Sequence, residues 1–246
     1  MSISCDQITA VILAGGLGKR VEHLLPDIPK PMAPVGGRPF LEWIIRYLAA
    51  QKIRRVLLST GHRAEAIERH FQSQPVKGVH VTCLRETRPL GTAGGFLNAI
   101  RSVTDHPAAW LVLNGDSLAP APLGPMFELL DPPKAEGALL AVCVADASRF
   151  GTISRNARGE LCGFNEKKAG AGIINAGIYL FRRRVIEHFP YKTPLSFETD
   201  IFPALIARGV VLKVCVTNAP FLDIGTPESL PLSEDFIRRN EKHFEP

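Results

Sequence analysis

The sequence predicts a doubly wound α/β fold with a mixed β-sheet in one domain. Through residue 116, short apolar runs alternate with amphipathic segments in which hydrophobic residues recur at helical spacing. Apolar strands that alternate with helices are typical of a parallel sheet covered on both faces. After residue 137 the strand-like runs follow one another more closely, and no Pro/Ser-rich linker precedes them. The second half therefore extends the same sheet with antiparallel strands.

The first half provides four predicted strands and three predicted helices. ITAVILA is a short apolar strand, and Leu41, Ile44, Ile45 and Leu48 form one face of the helix that follows. The other strands share apolar, β-branched residues, and the other helices share amphipathic spacing. The strands are 8–14, 54–60, 79–85 and 109–116, and the helices are 40–51, 63–71 and 96–103.

The second half is predicted to be richer in strands. Its strand-like runs are 137–145, 151–155, 160–166, 174–181, 210–216 and 221–225. We expect one helix over 196–209 and a polar C-terminal helix over 226–244. These segments complete a mixed sheet with helices at its end.

Composition and charge exclude several classes of protein. With 246 residues, 46% of them hydrophobic, the chain can bury a large core and fold alone. The net charge of +5 comes from scattered cations without interleaved aromatic residues, so we expect no nucleic-acid partner. No apolar run approaches the roughly 20 residues that a membrane span needs, and the N-terminus lacks a signal sequence. We therefore expect a cytoplasmic protein without a membrane partner.

The five cysteines are far apart in the sequence and include no C-x-x-C pair. Most of them lie in apolar runs such as VTCL and VCVA. This pattern predicts buried free thiols in a reducing compartment, because disulfide frameworks and zinc sites need closer or paired spacing.

The segment between the first strand and the first helix, LAGGLGKRVEHLLPDIPKPMAPVGGRPFLEW, is too long for an ordinary connection of about 2–6 residues. A dinucleotide fingerprint would need glycine where Val21 stands, and a P-loop would need glycine where Leu13 stands. Gly36 and Gly37 are interpreted as a turn before the helix. Neither of these two phosphate-binding motifs explains the rest of the segment.

Glycines and charges cluster where the predicted strands end. AGG follows the first strand, TGHR the second, PLGTAGG the third and NGD the fourth. In open α/β sheets, ligands bind beyond the carboxyl ends of the strands. The sequence therefore predicts a ligand site at this edge of the sheet.

The pattern G-G-x-G-x-R followed by P-K-P resembles the signature of the sugar-1-phosphate nucleotidylyltransferases, and the resemblance covers nearly the whole chain. It implies a Rossmann-like fold of the nucleotide-diphospho-sugar transferase type, also called GT-A-like. It also implies that the glycine loop binds the nucleotide, through Leu13, Ala14, Gly15, Gly16, Gly18 and Arg20.

Physical chemistry supports this interpretation of the loop. Glycines let backbone N–H groups approach a triphosphate, while Arg20 and Lys30 supply positive charge for the departing pyrophosphate. Pro29 and Pro31 restrict the backbone around Lys30. Arg20, Lys30 and Asp116 are the predicted catalytic residues, and Lys30 and Asp116 are expected at solvent-accessible strand ends.

Asp116 and Asp223 each follow an apolar run, in LNGDS and FLDIGTP. Mg²⁺ binds proteins through one or two carboxylates together with substrate phosphates, so the two aspartates predict a magnesium site. The family uses aspartates at matching motifs in this way. Asp223 also has an alternative role as the cap of a following helix.

The resemblance assigns the remaining site residues. Gly91, Thr92 and Gly95, in PLGTAGG, match the loop that borders the nucleobase. Gly151, Glu166, Lys167 and Asn175 match residues that bind the sugar 1-phosphate, with Lys167 on its phosphate. Here Lys167 is followed by Lys168 rather than by the frequent proline, which leaves Lys168 as the alternative phosphate ligand.

The implied reaction is nucleotidyl transfer from an NTP, with GTP favoured, to a sugar 1-phosphate. Within the family, the segments STGHRAEAI, ETRPLGTAGG and SRFGTI most resemble the guanylyltransferases of D-glycero-α-D-manno-heptose 1-phosphate. Mannose-1-phosphate guanylyltransferases and N-acetylmuramate-1-phosphate uridylyltransferases are the alternatives, and a non-catalytic regulatory subunit is a third. Residues 1–136 are assigned to the nucleotide and 137–246 to the sugar phosphate, in a monomer or a homo-oligomer.

Overall fold

In the computed structural model, the apolar runs of the first half form parallel strands at the centre of a sheet. The structure describes residues 3–104, 106–130, 135–165 and 169–245. The strands are β1 Ile8–Ala14, β2 Pro34–Val35, β3 Arg38–Pro39, β4 Arg55–Thr60, β5 His80–Arg85, β6 Ala109–Asn114, β7 Ser117–Leu118, β8 Gly137–Val144, β9 Thr152–Arg155, β10 Leu161–Asn165, β11 Gly172–Arg182, β12 Leu212–Thr217 and β13 Leu222–Asp223. The α-helices are α1 Phe40–Ala50, α2 Ala64–Ser73, α3 Thr92–Arg101, α4 Gly124–Glu128, α5 Phe202–Ala207 and α6 Ser233–Arg239.

The parallel centre of the sheet has the order β6–β1–β4–β5. Strand β1 lies between β4, the next strand of this sheet along the chain, and the later strand β6. The strand order therefore reverses at β1. In the register of the sheet, Leu13 of β1 is paired with both Ser59 of β4 and Asn114 of β6. The three strands therefore end at one level and define the edge at which this class of sheet binds ligands.

The second half of the chain makes the sheet mixed, as the sequence predicts. Strand β11 is antiparallel to β6 and also pairs with β8, while β12 is parallel to β8. Strands β9 and β10 form an antiparallel pair that joins β11 through Thr152 and Ile174. All these strands share one sheet with the parallel centre, so the two halves form a single domain.

Helices cover both faces of the sheet because the strand side chains alternate between the faces. In β1, Ala10 and Ile12 belong to the core under α1 and α2, whereas Val11 belongs to the core under α3. The α3 side is rich in aromatic contacts: the rings of Phe181 and Phe197 stack with centroids 5.7 Å apart. This aromatic core joins the end of β11 to the segment that precedes α5.

Two helices of the structure differ from the helices that the sequence predicts. Residues 196–209 contain a π-helical turn, Phe197–Ile201, before α5. The prediction of one helix over 226–244 is wrong: 3-10 turns at Leu230–Leu232 and Glu241–His243 flank the short α6. Pro231 lacks a backbone N–H, which explains why regular α-helix begins only after it.

The long segment after β1 contains 3-10 turns at Glu22–Leu24 and Lys30–Met32 and the two-stranded pair β2–β3. Gly36 and Gly37 form the tight turn between β2 and β3, with φ of +54° and +76°. All five thiols are free, but none is fully buried, and Cys143 and Cys162 are exposed. Within the described residues, no helix combines the length and apolar character that crossing a membrane requires.

Candidate active site

The carboxyl ends of β1 and β6 border a cleft of about 430 Å³, here called the strand-end cleft. Its lining includes nine of the residues singled out in the sequence. These are Leu13, Ala14, Gly15, Gly16, Gly18, Lys30, Gly91, Thr92 and Asp116. The fold therefore brings together three separate segments that the sequence suggested only by motif. Arg20, Gly95, Gly151, Asn175 and Asp223 are not among the lining residues.

Lys30 and Asp116 form an ion pair in the cleft, with the Lys30 ammonium in contact with Oδ2 of Asp116. Lys30 begins the Lys30–Met32 turn between Pro29 and Pro31, and its stem lies against Gly18. The side chains of Lys30 and Asp116 are 12% and 30% exposed. The expectation of a freely accessible strand-end lysine is wrong for Lys30, because it lies in a turn and is largely covered.

Asp223 lies beside Asp116 although the two are far apart in the sequence. Strand β13 pairs with β7, which places Asp223 opposite Ser117, and the Ile224 N–H donates to the Asp116 carbonyl at 2.9 Å. Burial, together with the negative charge of Asp116, raises the pKa of the Asp223 carboxyl above its ordinary value. The paired carboxylates thus form a small region of concentrated negative charge.

Arg20 is exposed, and its charge acts on Asp223. Its Nη2 atom is 3.2 Å from the position that a Cβ on Gly225 would occupy. Three groups act to lower the pKa of Asp223. They are the backbone N–H of Gly225, which donates to it, and the positive charges of Lys30 and Arg20. Arg20, Lys30, Asp116 and Asp223 therefore form one electrostatic group, of which Lys30 and Asp116 line the cleft.

The two carboxylates fit a divalent cation. The described residues contain no cluster of three or more metal-binding side chains. A cation at Asp116 and Asp223 would thus take most of its ligands from water and substrate phosphates, which is how Mg²⁺ binds in phosphoryl-transfer sites. Burial and, second, the charge of Asp116 disfavour ionised Asp223, and a bound cation would favour the ionised carboxylate.

The glycines of the loop after β1 have different structural roles. A Cβ on Gly15 would lie 2.8 Å from Oε1 of Glu86, and a Cβ on Gly18, where φ is +62°, would lie 3.0 Å from the Cβ of Lys30. A Cβ on Gly16 would have no atom within 4 Å and would enter the open cleft. Gly15 and Gly18 are therefore needed for packing, whereas the space at Gly16 is free for a ligand.

Gly91 and Gly95 lie in the glycine-rich start of α3. Gly91 has φ of +79°, and a Cβ there would lie 2.5 Å from the carbonyl oxygen of Leu195. A Cβ on Gly95 would contact Oε1 of Glu86 rather than the cleft. Glycine at position 91 is therefore required by the close packing against Leu195.

Backbone hydrogen bonds join this loop to the segment before α5. The N–H of Leu195 donates to the Leu90 carbonyl at 2.8 Å, and the Leu195 carbonyl accepts from Ala93 and Gly94 at 2.9 and 3.1 Å. Oγ1 of Thr92 accepts the N–H of Phe197 at 3.0 Å. This set of contacts, here called the Leu195 junction, fixes one wall of the cleft.

Glu86 and Asn114 line the cleft but were not singled out in the sequence. Oε1 of Glu86 accepts from the Ser59 hydroxyl at 2.9 Å, and Oε2 accepts from the Leu90 N–H at 3.1 Å. Glu86 therefore holds the loop that carries Gly91. In the sequence it follows a strand in the polar run RETRP. Nothing in this run distinguishes Glu86 from a carboxylate on the solvated surface.

Asn175 belongs to a hydrogen-bond network beside the cleft. Its Nδ2 donates to the Tyr179 hydroxyl at 2.8 Å, and that hydroxyl donates to Oε1 of Glu198 at 2.9 Å. Burial and the Glu198 charge raise the pKa of Tyr179 well above its ordinary value, so its hydroxyl is neutral. Oδ1 of Asn175 accepts the Gly177 N–H at 2.9 Å, which leaves the second Nδ2 hydrogen for a ligand.

The other residues assigned to the sugar phosphate are less informative. Gly151 is exposed, and a Cβ there would lie 3.3 Å from the carbonyl oxygen of Asn165. Glu166 and Lys167, with the alternative Lys168, lie outside the described residues. Their assignments stay predictions from the sequence.

Comparisons with known proteins agree on one family. The family model described as nucleotidyl transferase matches residues 9–239. The D-glycero-alpha-D-manno-heptose 1-phosphate guanylyltransferase of Aneurinibacillus thermoaerophilus is 35% identical over 221 residues, which cover 89% of this chain and 94% of the relative. The mannose-1-phosphate guanylyltransferase of Mycobacterium tuberculosis is 34% identical, and the match covers 96% of this chain but only 64% of that relative.

A solved structure gives the same result. HddC from Yersinia pseudotuberculosis, crystallised in complex with GMP-PN, has a TM-score of 0.81 and 33% sequence identity. The superposition covers 93% of this chain and 99% of HddC. The similarity therefore extends over the whole fold and includes the edge of the sheet that carries the strand-end cleft.

Proposed function

We propose that this chain, which belongs to the nucleotidyl transferase family, transfers GMP from GTP to D-glycero-α-D-manno-heptose 1-phosphate and releases pyrophosphate. The observation that carries the proposal is the strand-end cleft, where a glycine loop meets the ion pair of Lys30 with Asp116. GTP and the heptose phosphate are proposed because the similar chains include guanylyltransferases of that sugar phosphate. The product would be a nucleotide sugar of the kind used for capsule or lipopolysaccharide.

The reaction needs no nucleophile from the protein. A phosphate oxygen of the sugar 1-phosphate forms a bond to the α-phosphorus of GTP. The bond from that phosphorus to the bridging oxygen breaks, and its electron pair leaves with pyrophosphate. The chain contributes alignment and charge stabilisation, which are the main contributions of proteins to phosphoryl transfer.

The positive charges of the site would stabilise the leaving group. Lys30 is held by the Lys30–Met32 turn and by Asp116, so it has little freedom to move away from the cleft. Arg20 is exposed and would add a second positive charge near the leaving pyrophosphate. Fixed cations of this kind stabilise developing charge with little reorganisation.

Asp116 and Asp223 would hold Mg²⁺. When bound, the ion would neutralise phosphate charge and orient the triphosphate. The carboxylates themselves lie against the fixed backbone pairing of β7 with β13, so their spacing is set before substrate binds.

The two substrates would occupy different parts of the chain. We assign the nucleobase to the loop with Gly91, Thr92 and Gly95, and the nucleotide to residues 1–136. The sugar phosphate is assigned to residues 137–246, with Gly151, Glu166, Lys167 and Asn175. The Leu195 junction supports contact between the two substrates, since it joins the nucleobase loop to the second half.

A matrix of nucleotides and sugar phosphates tests the proposal. Purified protein with Mg²⁺ is given each of four NTPs together with D-glycero-α-D-manno-heptose 1-phosphate, mannose 1-phosphate or N-acetylmuramate 1-phosphate. The release of pyrophosphate is measured. We expect release only when both substrates are present, fastest with GTP and the heptose phosphate. Preference for mannose 1-phosphate or for UTP with N-acetylmuramate 1-phosphate would replace the proposed substrates.

The same assay separates an enzyme from a regulatory subunit that only binds nucleotide sugars. Such a subunit would bind GDP-sugars without releasing pyrophosphate from any pair. The charged group of Arg20, Lys30, Asp116 and Asp223 is complete in this chain, which favours the enzyme. We place the protein in the cytoplasm, where its nucleotide substrate is present, and assign it no nucleic-acid or membrane partner.

A further inference from the structure

A second cleft, of about 570 Å³, lies near the amino end of β6. It is lined by side chains of α3, of β6 and of the segment after β11, and we call it the basic cleft. The lining residues are Ile100, Arg101, His106, Trp110, Arg183, Arg184, Ile186 and Glu187. Its volume lies in the range of small-molecule sites, about 300–1,000 Å³. Nothing in the proposed reaction uses it.

The basic cleft has excess positive charge. Among the described residues that line it, three arginines and a histidine face the single carboxylate of Glu187. Arg184 is paired with Glu136, with Nε 2.8 Å from Oε2. The exposed side chains of Arg101 and Arg183 have no ion pair or hydrogen bond with any residue that the structure describes. Two guanidinium groups are thus available to an anion.

Trp110 forms part of the wall of this cleft, and its indole N–H is buried in the protein beneath it. The residue is 3% exposed, and its Nε1 has no hydrogen-bond acceptor within the described part of the chain. A buried N–H without an acceptor is costly, and the indole N–H can only donate. The other tryptophan, Trp43, is satisfied, since its Nε1 donates to the Val35 carbonyl at 2.9 Å.

We propose that the basic cleft binds a phosphate-bearing small molecule, with Arg101 and Arg183 as its charged contacts and Trp110 in the wall beside it. Phosphate oxygens accept hydrogen bonds from several donors at once and suit guanidinium groups in particular. The aliphatic Ile100 and Ile186 leave room for the organic part of such a molecule.

The basic cleft is separate from the strand-end cleft. Trp110 and Asn114 lie in the same strand and line different clefts. Four residues of β-strand span about 13 Å at roughly 3.3 Å per residue. A ligand in the basic cleft therefore does not occupy the space of a substrate, and strand β6 connects the two sites directly.

Nuclear magnetic resonance of ¹⁵N-labelled protein tests this proposal. The chain has two tryptophans, so its spectrum contains two indole signals, which Trp43→Phe assigns. Inorganic pyrophosphate and GDP are titrated separately, each against sodium chloride of matched ionic strength. We expect both probes to shift the Trp110 indole signal and to leave that of Trp43 in place.

Variants locate the binding. The double substitution Arg101→Gln/Arg183→Gln should weaken the apparent affinity by about tenfold or more, since two charged contacts to the anion are lost. Arg239→Gln, an exposed arginine of α6, should leave the affinity unchanged. Lys30→Met, in the strand-end cleft, should also leave the Trp110 shift intact. Circular dichroism checks that each variant is folded.

Three results would overturn the proposal. The Trp110 signal stays in place with both probes, or moves equally with sodium chloride. The double arginine variant binds as tightly as the wild type. The shift disappears in Lys30→Met, which would assign it to the strand-end cleft instead.

Discussion

Asp116 and Asp223 lie side by side because the N–H of Ile224 donates a 2.9 Å hydrogen bond to the carbonyl oxygen of Asp116. The two-stranded pairing of β7 with β13 thus brings two like charges together before any ligand is present. Burial and the charge of Asp116 raise the pKa of Asp223, which means that the fold disfavours ionised Asp223. The arrangement lowers the stability of the folded protein at the place where we expect a cation to bind.

Asp223→Asn should stabilise the metal-free protein. A carboxyl whose pKa is raised in the folded state favours the fold while protonated and loses that contribution as pH rises through its folded pKa. At about pH 7 we expect the variant to melt about 2–4 °C above the wild type, a change of roughly 1 kcal/mol for a chain of this size. Below about pH 3, where both states are protonated, the difference should disappear.

Calorimetry with a chelator measures this effect, and the amide retains the Oδ1 atom that accepts the Gly225 N–H. The same variant should release pyrophosphate roughly 10²-fold more slowly than the wild type. Lower stability of Asp223→Asn at both pH values would show that the carboxylate is not under repulsion.

Lys30→Met should lower kcat by roughly 10²-fold or more, because one fixed cation is lost from the site of developing charge. Lys77→Met, which removes an exposed lysine far from the cleft, is the matched control. Combining Lys30→Met with Asp116→Asn should cost much less than the sum of the separate losses, since the two side chains act as a pair. Full additivity of the two losses would contradict a shared role.

Gly16→Ala and Gly91→Ala should affect different properties. A methyl group on Gly16 enters open space, so we expect normal melting and a raised KM for GTP. A methyl group on Gly91 meets the Leu195 carbonyl at a residue with φ of +79°, so the fold should lose about 1–3 kcal/mol. Thermal melts and steady-state kinetics on both variants separate these effects. Equal stability of the two variants would falsify the assignment of Gly91 to packing.

Lys167→Ala should raise KM for the sugar 1-phosphate and leave GTP binding nearly intact. The lost phosphate contact is expected to contribute about 1.5–3 kcal/mol. Lys168→Ala is the matched control one residue away, and isothermal titration with GTP shows whether the nucleotide is affected. A larger effect of Lys168→Ala would move the phosphate contact to that residue.

Much of the fold followed from hydrophobic pattern alone. The parallel strands of the first half are continuous apolar runs bounded by glycines, and the helices between them have one clear apolar face. The spacing of hydrophobic residues therefore predicts both the type and the place of each element. The broken C-terminal helix was missed because its polar residues suit a helix individually, whereas Pro231 removes a donor inside it.

Site residues were predictable where several of them lie close together in one motif. They were not predictable where a single residue makes its contacts only in the folded structure. Lys30 lies between two prolines, and this motif indicated a site residue, although its covered position in a turn was not predicted. Glu86 reaches Leu90 and Ser59 only through tertiary structure, and its carboxylate has no distinguishing neighbours in sequence. The Trp110 indole N–H has no acceptor among the described residues, which only the tertiary structure could show.

The Leu195 junction limits how such enzymes can be recombined. A chimera that takes residues 1–136 from one relative and the remainder from another would separate Gly91 from the Leu195 segment against which it fits. The glycine start of α3 and residues around Leu195 therefore form a single unit for engineering, although they belong to different halves of the chain. Exchanges of substrate specificity should transplant the two segments together.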